Sequence, residues 1–141
     1  MIDEEYKIDD SDKLYYRVPK SQCESPEYDI VSPHAFNPVN DSLSTNWEKF
    51  CDAKGCLEFK TDNYPEGRTS KTHGIGHFIA GEIRNLTFLE DKLEVKYIGN
   101  NQNPSHVGVF GMPASKPKQP YNEMKVKLQR IFKKWDIKPV D

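Results

Sequence analysis

The C-terminal part of the chain carries the pattern that most restricts its fold. Apolar residues recur there at the spacing of a single stripe along an α-helix, namely Met124, Leu128, Ile131, Phe132 and Trp135. We expect a helix of about four turns that begins near Asn122 and ends before Pro139. Because such a stripe has to be buried, the helix is expected to cover one face of a sheet.

Shorter patterns upstream predict that sheet. Alternation of apolar and polar residues predicts strands at Lys13–Val18, Lys92–Ile98 and His106–Phe110. The pattern Thr45-x-x-Glu48 is typical of a capping box and predicts a short helix from Thr45. We therefore expect an α+β fold, with a small mixed or antiparallel sheet of roughly four or five strands and a C-terminal amphipathic helix packed on one face. Residues 1–12 are predicted to be a mobile acidic N-terminal segment, and residues 13–141 a single α+β domain.

The start of the chain and its apolar content bear on where the protein works. Acidic residues stand where a secretory signal would need a basic start followed by an apolar run. No apolar stretch is long enough to cross a membrane. We therefore expect a cytoplasmic protein with no membrane partner, whose three cysteines are reduced thiols.

Charge is distributed unevenly along the chain. Residues 116–141 contain eight basic and three acidic residues, although the net charge of the chain is −2. The basic side chains that would contact the phosphates of a nucleic acid include Lys125, Arg130 and Lys134. The alternative is the ordinary solvated face of an amphipathic helix, which agrees better with a pI of about 6.1. A nucleic-acid partner is thus one hypothesis, beside a protein partner.

One spacing of cysteine and histidine suggests a metal. Cys51-x4-Cys56 is followed by His73-x3-His77, and two thiolates with two imidazoles are a ligand set for structural zinc. However, the histidines bracket two glycines, whereas the histidines of a zinc finger lie on a helix. Cys51 also falls on the apolar side of its predicted helix, as an ordinary buried thiol would. No cofactor is expected by default, and zinc is the alternative.

Two polar residues of the predicted strands are candidates for chemistry. Arg17 points away from the apolar side of its strand and would hold a phosphate or carboxylate, or else form an ordinary salt bridge. His106 begins a strand after Asn103-Pro104-Ser105, where an imidazole would act as a general acid or base. The alternative is a histidine that bonds to a loop carbonyl.

Several short motifs resemble those of a family of small bacterial proteins of uncharacterised activity. They are Arg17-Val18-Pro19, Ser32-x-x-Ala35-Phe36, Leu43-Ser44, Ala80-Gly81-x-x-Arg84 and Asn103-Pro104-x-His106. The resemblance implies a bacterial cytosolic protein, in a defence or mobile-element operon, and it implies no reaction. The cysteines of this chain lie outside the family pattern, and Gly111-Met112-Pro113 stands where the family has a basic turn after its last strand.

The motifs also regroup the polar candidates. Arg17, Ser44, Arg84 and His106 lie in separate predicted elements, and together they would form an anion-binding cleft with one titratable group. We expect a partner-binding or accessory module of a bacterial cytosolic system, with antiviral defence as one candidate role. The alternatives are an RNA- or nucleotide-directed enzyme, nuclease or transferase, that uses His106 with Arg17 and Arg84, and a zinc-stabilised domain.

Overall fold

A computed structural model describes residues 6–24, 26–39, 41–88 and 90–141. Its eight strands are β1 (Lys13–Pro19), β2 (Ser42–Trp47), β3 (His73–Ile79), β4 (Thr87–Phe88), β5 (Asp91–Lys92), β6 (Glu94–Tyr97), β7 (His106–Phe110) and β8 (Lys133–Ile137). Its helices are α1 (Ala53–Glu58), α2 (Ala80–Arg84) and α3 (Lys118–Ile131), with 3-10 turns at Lys20–Gln22 and Pro33–Phe36. Six strands form one antiparallel sheet in the order β6-β7-β2-β1-β3-β8, and β4 pairs with β5. The predicted α+β fold is confirmed.

The larger core lies between α3 and one face of the sheet. Met124 and Leu128 of α3 are fully buried, as the apolar stripe predicts. The ring of Phe132 packs against those of Phe36 and Phe78, with centroids 5.4 and 5.2 Å away. Burial of each such side chain stabilises the fold by about 1.5–3 kcal/mol. The C-terminal amphipathic helix therefore covers one face of the sheet.

A smaller apolar cluster lies on the opposite face of the sheet. Cys56 and Leu57 of α1 pack there against Tyr15 of β1 and Ile75 of β3. The first turn of α1 is capped by Asp52, whose side chain accepts a hydrogen bond from the backbone of Gly55 at 2.7 Å. Because α1 covers only part of this face, polar side chains of the central strands line the remainder.

Several details differ from the sequence-based expectations. The main sheet has six strands rather than four or five. The strand predicted at Lys92–Ile98 is divided, because Lys92 belongs to β5 and β6 spans Glu94–Tyr97. The short helix from Thr45 was wrong: these residues form β2, and Thr45 points into the core, where its hydroxyl donates to the backbone oxygen of Val107 at 2.8 Å. The helix predicted to run through Trp135 ends at Ile131, and Trp135 lies in β8. β8 pairs with the edge of β3 and satisfies backbone hydrogen-bonding groups of β3. A longer helix would leave these groups without partners, so the tertiary structure overrides the local sequence pattern.

The described part of the N-terminal segment packs on the domain. Ile8 is buried, and the indole nitrogen of Trp47 donates to the carboxylate of Asp12 at 3.1 Å. Residues 1–5 lie outside the described residues, so the predicted mobility of residues 1–12 and the single-domain assignment stay predictions. None of the helices in the described ranges is long and apolar enough to span a bilayer.

Candidate functional site

A gap between two neighbouring strands creates the cavity of interest. Over the described residues, β1 pairs with β2 only at Leu14–Trp47 and Tyr15–Asn46, whereas it pairs with β3 along its whole length. Beyond these two pairs, the strands border a cavity of about 300 Å³. Its lining is Tyr16, Arg17, Pro19, Ala35, Asn37, Val39, Leu43, Ser44, Tyr64, Arg68 and His73. The volume is at the lower end of the range of small-ligand sites, about 300–1,000 Å³.

Arg17 enters this cavity from β1. It lies opposite Ile75 in the pairing of β1 with β3, so its side chain is on the face that α1 covers. One guanidinium nitrogen, Nη1, donates to the backbone oxygen of Cys56 at 3.0 Å. No carboxylate forms an ion pair with Arg17 in the part of the chain that the structure describes. The α1 carbonyl therefore orients a guanidinium whose charge is not neutralised by a described acid.

Arg68 brings a second guanidinium to the same cavity. Its guanidinium carbon lies 4.0 Å from the ring centroid of Tyr64, which is a cation–π contact. Nη1 of Arg68 is buried and has no hydrogen-bond partner among the residues described. Burial, and then the charge of Arg17, lower the pKa of Arg68 from its usual value to about 10. Arg68 is therefore charged at neutral pH, at an energetic cost that a bound anion would relieve.

His73 adds a neutral group to the cavity. Its ring meets Tyr64 edge to face at 5.1 Å, and its Nδ1 lies 2.9 Å from the hydroxyl of Thr72. Burial, followed by the charges of Arg68 and Arg17, lowers the pKa of His73 to about 4. The imidazole is thus uncharged at neutral pH, and the fixed charge at the cavity is the pair of arginines.

Ser44 and His106 form a pair beside the arginines. Nε2 of His106 lies 3.3 Å from the hydroxyl of Ser44, which itself lines the cavity. Burial first, and then the charge of Arg17, lower the pKa of His106 below its usual value. A neutral imidazole can either accept the hydroxyl proton of Ser44 or donate to that oxygen, depending on its tautomer. The pair therefore supplies polar contacts, and one proton-transfer group, near the cavity.

The predicted cleft of four residues is assembled only in part. Arg17, Ser44 and His106 lie close together, but Arg84 does not line the cavity. Instead, the guanidinium of Arg84 donates at 2.7 Å to the carboxylate of Asp10 and to the backbone oxygen of Ile8. This arginine therefore holds the N-terminal segment against α2.

Sequence reasoning missed Arg68, Tyr64 and the role of His73 in the cavity. Arg68 and Tyr64 lie in a polar loop, where neither periodicity nor a motif marks them. The one local signal in this loop is Gly67, because a glycine often marks a sharp turn in the path of a loop. Its φ is +81°, a conformation that favours glycine. That signal does not reveal where the loop packs.

The four residues proposed for zinc do not form a metal-binding group. Across the described ranges there is no group of three or more His, Cys, Asp or Glu side chains placed to hold a metal ion. His77 instead bonds through Nδ1 to the carboxylate of Asp136 at 2.7 Å, and His73 faces Tyr64. Cys51 and Cys56 do come together, at the start of α1.

The three basic residues of the C-terminal region have different surroundings. Lys125 is buried, where its ammonium donates to the side-chain oxygen of Asn37 at 2.9 Å. Lys134 donates to the backbone oxygen of Asp29, and Arg130 is exposed. Lys125 is therefore part of the packing of α3, whereas Arg130 and Lys134 are both exposed.

Comparisons of the chain with protein-family models, with curated proteins and with solved structures found no match. The interpretation of the cavity therefore depends on its own contacts and charges.

Proposed function

We propose that this protein is a binding module that recognises a phosphate group of its partner in the cavity between β1 and β2. The observation that carries the proposal is the pair of guanidinium groups, Arg17 and Arg68, which lack a carboxylate partner within the described chain. Two forks offer more donors than a single carboxylate can accept, which favours phosphate with its additional oxygens. The partner is then a phosphorylated protein, a nucleotide or a nucleic-acid end.

The remaining lining groups support the same ligand chemistry. Ser44 contributes a hydroxyl, and His73 is neutral at neutral pH. The named lining contains no acidic side chain that would repel an anion. Val39, Leu43 and Pro19 provide apolar contact for the group that carries the phosphate. A charged group at the base of a partly apolar cavity is a common arrangement in ligand sites.

Titration calorimetry with inorganic phosphate, adenosine monophosphate and uncharged adenosine would test the proposal in a phosphate-free buffer. We expect the two phosphate compounds to bind and adenosine not to bind. Arg17→Gln and Arg68→Gln should each weaken binding by roughly 10- to 100-fold, because a hydrogen bond to a charged group contributes about 1.5–3 kcal/mol. Arg130→Gln is the matched control, since Arg130 is exposed outside the cavity.

The control also separates the cavity from the basic helix. If Arg130→Gln lowered the affinity as much as the cavity variants do, phosphate would bind at the helix and the cavity proposal would fail. Equal affinity of the wild type for adenosine and its monophosphate would also contradict it.

A second candidate function follows from the Ser44–His106 contact of 3.3 Å. In an RNA- or nucleotide-directed enzyme, His106 would transfer a proton while Arg17 and Arg68 stabilise the charge on phosphorus oxygens. Arg84 has no part in this version, because it lies with Asp10 outside the cavity. Cleavage of single-stranded RNA by the wild type, lost in His106→Gln while phosphate affinity is retained, would establish the enzyme. RNA that stays intact after prolonged incubation would exclude nuclease activity on this substrate and favour the binding module.

A further inference from the structure

Cys51 and Cys56 occupy two positions at the start of α1 whose side chains commonly pack against each other in helices. Asp52 is the N-cap of α1, so Cys51 is the residue before the cap and Cys56 is the fourth residue of the helix. Side chains at these two positions pack on each other in the hydrophobic staple, which fixes the path of the chain into the helix. Cys51 accordingly packs on the cluster that contains Cys56. Both cysteines are free thiols.

The surroundings of the two thiols differ. Cys56 is buried, whereas Cys51 is half-buried and open to small reagents. The thiol of Cys51 donates to the backbone oxygen of Trp47 at 3.5 Å. The neighbouring Cys56 thiol lowers the pKa of Cys51, although burial opposes this effect. The neighbouring Cys51, and then burial, raise the pKa of Cys56. Cys51 is therefore the thiol that ionises first, with Cys56 as an adjacent proton donor.

From the staple geometry we infer that Cys51 and Cys56 are a reversible dithiol–disulfide pair that responds to peroxides. The Cys51 thiolate attacks one peroxide oxygen, which breaks the O–O bond and leaves a sulfenic acid and, after protonation, water. The Cys56 thiol then loses its proton, its sulfur attacks the Cys51 sulfur, and the sulfenic oxygen leaves as a second water. In total, two thiols and one hydrogen peroxide give one disulfide and two waters.

The pair is connected to the phosphate cavity through one hydrogen bond, so its regulatory role rests on the proposed function. Nη1 of Arg17 donates to the backbone oxygen of Cys56 at 3.0 Å. A disulfide bond of about 2.05 Å is shorter than any contact between two thiols. Its formation therefore draws Cys56 toward Cys51 and displaces the backbone oxygen that Arg17 contacts. Oxidation is expected to weaken phosphate binding about fivefold or more.

The first measurement concerns the disulfide alone. The full chain is treated with stoichiometric hydrogen peroxide, and the intact mass and a peptide map are recorded with and without dithiothreitol. We expect a monomer that has lost two hydrogen atoms through a Cys51–Cys56 link, fully reversed by dithiothreitol. Cys51→Ser should abolish the link, and Cys23→Ser should not, because Cys23 interacts with Pro19 away from α1.

Oxidation of Cys51 that stops at the sulfinic acid, or a link that involves Cys23, would overturn the inference. Because Cys51 is half-buried, Cys51→Ser is expected to fold, and circular dichroism checks that it does.

The second measurement is the affinity for inorganic phosphate of the reduced and the oxidised protein. Weaker binding after oxidation, restored by dithiothreitol and absent in Cys51→Ser, supports the connection to Arg17. Equal affinities of the two forms would refute that connection. If the reduced protein fails to bind phosphate, the proposed function is wrong, while the mass measurement still decides the disulfide.

Discussion

Replacement of Arg68 by methionine should make the protein more stable while removing its ability to bind phosphate. Methionine is unbranched and fills irregular space, so it retains the contact of the arginine stem with its surroundings. The substitution removes a guanidinium group that lies beside the charge of Arg17. One nitrogen of that group is buried and has no hydrogen-bond partner among the described residues. The prediction follows from the general observation that binding sites hold unfavourable charge arrangements until the ligand is present.

The magnitude follows from the pKa of Arg68, which falls from the usual value of an arginine side chain to about 10. At about 1.4 kcal/mol for each tenfold change in the acid constant, this decrease corresponds to about 3.4 kcal/mol. Arg68 is only partly buried, and solvent screening reduces the figure to about 1–2 kcal/mol. Loss of the cation–π contact with Tyr64 costs about 0.5–1 kcal/mol. The free energy of unfolding should therefore rise by about 0.8 kcal/mol, within limits of about 0 and 1.5 kcal/mol.

Urea denaturation at pH 7.5 in a phosphate-free buffer measures this difference, and the melting temperature should rise by about 2–4 °C. Saturating phosphate should stabilise the wild type, by about 1.4 kcal/mol at ten times the dissociation constant, and leave Arg68→Met unchanged. Arg130→Met, at an exposed position, is the control for removal of a positive charge. A variant that is less stable than the wild type by 1 kcal/mol or more would refute the reasoning, because Arg68 would then be a structural anchor.

Two further predictions concern the same cavity. His73 has a pKa of about 4 in the folded protein and about 6.5 in the unfolded chain. The unfolded chain therefore binds more protons between these two pH values, so acid favours unfolding. The contribution of His73 to stability should be complete above pH 6.5, and the free energy of unfolding should fall by as much as about 3 kcal/mol as the pH decreases to 4. Urea denaturation across this range should show the decrease in the wild type and a smaller one in His73→Gln, and equal profiles would contradict the assignment. Gly67→Ala places a Cβ atom 2.3 Å from the backbone oxygen of Glu58, at a φ of +81°. It should destabilise the protein by about 1–3 kcal/mol and weaken phosphate binding by displacing Arg68; an unchanged melting temperature would contradict this.

Local sequence patterns correctly predicted elements whose burial they encode. The stripe through Met124 and Leu128 predicted a helix that lies on the sheet, and alternation predicted β1 and β7, because one-sided burial requires a fixed spacing of apolar residues. The same reasoning failed at Thr45 and Trp135, where strand partners distant in sequence determine the conformation. The helix was predicted to begin near Asn122, but α3 begins at Lys118, and Pro120 lies within its first turn, where its missing N–H group has no intrahelical role.

The candidate site divides in the same way. The sequence identified Arg17 and His106 as polar residues of predicted strands, and the family resemblance added Ser44. Strand order brings the three to one face. Only the tertiary structure placed Arg68 and His73 beside Arg17 and moved Arg84 to Asp10. The physical reason is that strand periodicity specifies which face a side chain occupies, whereas the partner of a guanidinium depends on how a loop folds back over many residues. The charge of the cavity, and with it the proposed phosphate site, is therefore a property of the folded chain.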